Sequence, residues 1–122
     1  MPSKADHISK AEHNEKFAST LNSDGSYADY RDWVVTAYFY SAIHYVEAYL
    51  STLSRHSPDH RARDAVIGSD PDLQPIYSDY RRLKDDSTNA RYSMWTPTPL
   101  DVANGVQPGH AAIKAHLLSI IS

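Results

Sequence analysis

The chain has 122 residues, 41% of them hydrophobic and 22% charged, with a formal charge of −3 at pH 7. That length holds one domain, residues 1–122, with a core large enough to need neither disulfide nor metal, and the mild acidity excludes an overall basic footprint for nucleic acid while leaving room for a local basic patch. The absence of cysteine excludes a disulfide frame, a thiol nucleophile and zinc sites built on thiolates.

Residues 3–21 read as a first helix with a thin apolar stripe of Ile8, Ala11, Phe17, Ala18 and Leu21, expected to pack as an outer layer. Asn22 to Ser26 is dense in turn formers. From Tyr27 to about Arg55 the chain holds neither Gly nor Pro, and apolar residues at 35, 38, 39, 42, 46, 49, 50 and 53 recur at helical spacing. This predicts one long helix, the spine of a small bundle, with neighbours on more than one side. A narrow polar line remains: Thr36, Tyr40, His44, Glu47, Ser51 and Arg55. An imidazole and a carboxylate midway along a buried helix cost free energy unless each is partnered, so His44 and Glu47 are first candidates for a site.

Ser57-Pro58 is expected to end the spine, because proline disfavours helical geometry in the residue before it. Asp59 to Ile67 then reads as a short helix closed by Gly68, in which His60, Arg63 and Asp64 share a face. Gln74-Pro75 opens a fourth element, whose seam is Ile76, Tyr80, Leu83, Ser87, Ala90 and Met94. Arg91 sits on its flank. Thr96 to Gly105 reads as a loop, and Pro108 as the start of a last helix buried through Ile113, Leu117, Ile120 and Ile121. No run alternates like a strand. The expectation is all-α: an up-down bundle of four main helices plus one short one.

Several chemistries are absent from the pattern. There is no nucleophile elbow, phosphate loop or dinucleotide fingerprint. His56 and His60 have metal-helix spacing but Pro58 stands between them, so no metal site and no cofactor is expected. The Trp33 to Leu50 run contains Ser, Thr, His and Glu, which argues for a bundle helix over a membrane span. The N-terminus is polar and charged, without the apolar core of a signal peptide, giving a cytoplasmic expectation.

One constellation remains: Tyr40, His44 and Glu47 on the spine, His60 and Arg63 on the short helix, and Tyr80, Ser87, Arg91 and Tyr92 on the fourth element. Two readings fit it. A base and a cation in one cleft suit phosphodiester chemistry. Alternatively the same residues form a network that pins the helices, with Arg91 pairing with Glu47 and His44 with a tyrosine.

At Asp32 to Leu50, His60-Arg61-Ala62-Arg63, Tyr80-Arg81-Arg82-Leu83 and Ser87-Thr88-Asn89-Ala90-Arg91-Tyr92, over roughly residues 8–121, the chain resembles the HEPN superfamily of helical domains. The resemblance implies RNA or nucleotide binding, a habit of forming homodimers, and association with nucleotidyltransferases or with toxin and defence genes. Ribonucleases of that superfamily carry an Arg-x(4 to 6)-His motif, which Arg55-His56-Ser57-Pro58-Asp59-His60 fits. On that basis His60 would act as base toward a ribose hydroxyl, Arg55 or Arg63 would hold the phosphate, and no metal would be needed. The alternative is a non-catalytic dimeric interaction or regulatory module.

Overall fold

The computed structural model describes residues 2–121 and is all-helical among them. Helix α1 spans Lys4–Ser23 and starts in a capping box, where the Ser3 hydroxyl accepts from the Asp6 amide and the Asp6 carboxylate from the Ser3 amide. It buries His7, Ala11 and Ala18, spaced to share one face, and the two alanines let it lie close along the next helix. Phe17 departs from the expected stripe: it is 51% exposed.

A 3-10 segment, Gly25–Tyr30, precedes α2, Arg31–Thr52. The spine is therefore shorter than the expected Tyr27 to Arg55 at both ends. At the front, Tyr27 leaves helical geometry (φ −110°, ψ 24°) after Asp24 caps the Ser26 amide. At the back, the helix closes before Ser57-Pro58 is reached. The Arg55 amide donates to the Leu50 carbonyl at 2.9 Å and the Ser54 amide to Ser51 at 3.1 Å, the paired bonds of a Schellman turn. Ser54 takes the left-handed conformation this turn requires, at φ 56°. Of the 22 residues of α2, 15 are buried, so helices pack on several sides of it.

Asp59 caps the Ala62 amide to start α3, His60–Ser69, which runs past Gly68 instead of ending there. After a 3-10 turn at Gln74–Ile76 that buries Ile76, α4 covers Tyr77–Tyr92 and buries Tyr80, Leu83, Ser87 and Ala90 as the spacing predicted. Met94 does not join that seam, because Ser93 turns the chain to extended geometry and leaves Met94 98% exposed.

The last helical run begins nine residues before Pro108. Thr98 and Asp101 form a second capping box, with Pro99 at the first helical position of α5, Pro99–Asp101. It continues through a π-helical turn, Val102–Val106, into α6, Gln107–Ile121. Pro108 has no amide to give and its ring crowds the preceding turn, so the wider turn just before it accommodates the ring without breaking the helix. The expected loop at Asn104-Gly105 is thus helical.

Ser41 joins three helices. Its hydroxyl lies 2.7 Å from the Ala11 carbonyl of α1 and 2.8 Å from His110 Nε2 of α6. The single hydroxyl proton goes to the carbonyl, so His110 must donate, which places its proton on Nε2. Burial holds His110 neutral, with its pKa down to about 4.

Because a left-handed L-residue costs about 1–2 kcal/mol and glycine's greater unfolded-state entropy offsets about 0.5–1 kcal/mol of the relief, Ser54→Gly should raise stability by several tenths of a kcal/mol. Urea unfolding would register this as a higher midpoint at unchanged slope, and an unchanged or lower midpoint would contradict the Schellman assignment.

Candidate functional site

The polar line of α2 does not face water as a line. Glu47 is 3% exposed and Arg63, delivered by α3, is 8% exposed. Arg63 Nε donates to Glu47 Oε1 at 2.9 Å, the Ser57 amide approaches Oε2 at 3.4 Å, and His56 Nδ1 stands 3.9 Å from the same oxygen. The Ser57-Pro58 segment thus folds back over the carboxylate. Glu47 pairs with Arg63 and not, as one reading expected, with Arg91.

Arg63 also reaches His60, with Nη1 3.0 Å from His60 Nδ1. A guanidinium can only donate, so Nδ1 of His60 accepts and the proton of the neutral ring sits on Nε2. Burial lowers the His60 pKa, and the charge of Arg63 lowers it further. The ring stacks on Phe39 with centroids 6.0 Å apart and lies 6.5 Å from Tyr40.

Arg91, near the end of α4, meets Tyr40 across the groove. Its guanidinium carbon is 5.6 Å from the Tyr40 ring centre and 5.3 Å from that of Tyr92, and Nη1 donates to the Tyr40 hydroxyl at 3.3 Å. Among the described residues no carboxylate stands within ion-pair distance of Arg91. Two aromatic faces hold the cation in place and leave its charge uncancelled.

His44 finds an unexpected partner. Its Nδ1 lies 3.1 Å from Nδ1 of His7 on α1, where a tyrosine had been anticipated. One ring must donate and the other accept, so at least one is neutral. Burial, and then the neighbouring His7, bring His44 down to about 4, while burial lowers His7 as well. His44, Tyr40 and Lys10 also line a groove of about 340 Å³ floored by Thr36 and Ala37.

The candidate residues therefore divide by depth. Glu47, Arg63, Tyr80 and Ser87 are internal: Tyr80 packs on Phe39 at 5.8 Å with its phenol pushed up by burial, and Ser87 is wholly covered in the α4 seam. Tyr40, His44, His60, Arg91 and Tyr92 form one corner reachable from solvent, Tyr92 being 81% exposed. Arg55 belongs to neither group; it lies exposed in the turn after α2 and makes no ion pair among the described residues. Sequence reasoning missed His7 and Lys10. His7 lies four positions before Ala11 on the α1 stripe, and that spacing was the available signal.

Among the described residues, no three His, Cys, Asp or Glu side chains stand where they could share a metal ion, and no helix is long and apolar enough to cross a membrane. Compared with protein-family profiles, with curated proteins and with solved structures, the chain matches none.

A buried pair that loses one member leaves an uncompensated charge, which typically costs about 3–5 kcal/mol. Arg63→Ala should therefore lower the unfolding free energy by that order, and Glu47→Leu with Arg63→Met should recover most of the loss. A single substitution near neutral in urea unfolding would contradict the pairing.

Proposed function

We propose that this protein is a HEPN-like up-down bundle whose Tyr40–Arg91 corner binds a phosphate-bearing ligand, a nucleotide or single-stranded RNA. The observation that carries the reading is the uncancelled charge of Arg91, gripped between the rings of Tyr40 and Tyr92. The Arg91 guanidinium, with Nε buried and Nη1 donating to the Tyr40 hydroxyl, has further N–H groups at its outer end for an anion, and the exposed rings offer stacking surfaces to a base. His60 adds an N–H donor on Nε2 beside them, and Lys10 a second cation along the groove.

Binding is better supported than cleavage. A metal-independent ribonuclease would use His60 as base, but the Nδ1 lone pair is engaged by Arg63 and Nε2 carries the proton. Arg63 is itself engaged by Glu47. Both would have to be released before they could act on a ribose hydroxyl or a phosphate. A second reading, a homodimeric interaction module, is favoured by the exposed aromatic side chains of Phe17, Tyr27, Tyr30 and Trp33.

Fluorescence anisotropy with a labelled single-stranded oligoribonucleotide tests the ligand reading. Arg91→Ala and Tyr40→Ala should each weaken binding about tenfold or more, the scale of one stacking or phosphate contact, and Arg91→Ala should reduce the salt slope by about one. Melting should change little, since both side chains lie at the surface. Equal affinity in wild type and both variants would refute the assignment.

A further inference from the structure

Of the seven histidines in the chain, His7 and His44 turn the same ring nitrogen toward each other. His7 closes the first turn of α1 and His44 stands near the middle of α2. The chain lacks the spacing of a metal helix, and the pair arises instead from two helices lying side by side, with 37 positions between the rings in sequence. Three other imidazoles are engaged singly: His60 by Arg63, His110 by Ser41 and His116 by the Asp72 carbonyl.

The separation of the two Nδ1 atoms, 3.1 Å, suits an ion as well as a proton. Zinc binds imidazole nitrogen at about 2.0–2.1 Å in tetrahedral geometry, which sets two ligating nitrogens about 3.3 Å apart and their ring centres about 5.2 Å apart. The centres of His7 and His44 already stand 5.4 Å apart. Slight turning of the rings therefore replaces an N–H···N contact by an N–metal–N one without moving either helix. Both ligands sit on rigid elements: the His7 amide closes onto the Ser3 carbonyl at 3.0 Å beneath the capping box, and His44 lies within the longest helix. Burial disfavours the imidazolium form of both, so an entering cation has no charged ring to displace near neutral pH. Asp6 and Glu47 favour positive charge here, while Lys10 and Arg63 oppose it. Among the described residues no third His, Asp or Glu joins the pair. The groove of about 340 Å³ that His44 lines has room for solvent ligands.

We propose that His7 and His44 form a two-imidazole site for a borderline divalent transition ion of the zinc class, clamping the first turn of α1 to α2. Imidazole suits such ions, whereas the lack of thiolate and carboxylate donors at the pair disfavours Cu(I), Mg²⁺ and Ca²⁺. Solvent completes the coordination shell. In the metal-free pair the donating ring carries its proton on Nδ1 and the accepting ring on Nε2. The ion takes both Nδ1 lone pairs, so the donor's proton moves to Nε2 and both rings stay neutral. The site stands apart from the ligand reading given above and needs neither Arg91 nor Tyr92.

Zinc titration of the full chain, followed by calorimetry and by long-range proton–nitrogen NMR, tests this, with zinc-free melting curves confirming that each variant is folded. Wild type should bind zinc and melt at a higher temperature in its presence. His7→Gln and His44→Gln should each weaken binding about tenfold or more, at least the effect of disturbing the groups that support a metal ligand, and each should lose the melting shift. His13→Gln, on the exposed side of α1, should behave as wild type. The NMR arm uses wild type alone, so it holds even if a glutamine variant fails to fold: zinc should convert one Nδ1–H and one Nε2–H ring into two Nε2–H rings, with both Nδ1 resonances displaced. A wild type that binds no zinc overturns the proposal. Binding that survives both glutamine variants, or that leaves the His7 and His44 nitrogens unmoved at saturation, overturns it as well and marks an adventitious ion only.

Discussion

The encirclement of α2 governs this structure. A helix with neighbours on several sides has almost no position from which a polar side chain can reach bulk water, so each such group must be matched by something the surrounding helices bring. Ser41 is matched by α1 and α6 together, His44 by α1, and Glu47 by α3 and the segment before it. These pairings fix more than energy. Each names a particular residue on a particular neighbour, so a helix that slid by one turn would strand a buried charge or donor.

The same constraint separates two cations that look alike in sequence. Arg63 is drawn inward because Glu47 is buried, and its remaining reach is taken up by His60. Arg91 sits at the rim of the same helices, where no carboxylate among the described residues answers it and two tyrosine rings hold it instead. An internal pair of this kind contributes little to net stability compared with an apolar substitute, yet is costly to break. A cation held by aromatic faces is available to outside anions. One arginine is thus committed to the interior and the other left at the rim, less than thirty positions apart in the chain.

The helices themselves were legible because periodicity and punctuation agree over most of the chain. The α2 and α4 seams, the short α3 and the final Ile113–Leu117 face all follow from spacing. Boundaries were misread where a local signal was overlooked or absent. Thr98-Pro99-Leu100-Asp101 is a capping box that two prolines disguised as loop, and nothing in Ser54 announces a left-handed turn usually given to glycine. The candidate residues lie on three helices, as their sequence positions indicate. Their pairing was not readable, because which cation Glu47 meets depends on where the 53–59 turn sends α3, and no periodicity encodes that. Exposure was equally hidden for Phe17 and Met94, which periodicity assigns to apolar stripes although a helix end or an open groove leaves them uncovered.

The matched-partner account makes a direct statement about protons. His110 donates to Ser41, and His60 accepts from Arg63, so near neutral pH both imidazoles should be uncharged with hydrogen on Nε2. Long-range proton–nitrogen NMR correlation separates the two neutral tautomers from each other and from imidazolium by their nitrogen shifts. The account predicts the Nε2–H pattern for both rings at pH 7. An Nδ1–H or imidazolium signature at either one would contradict it.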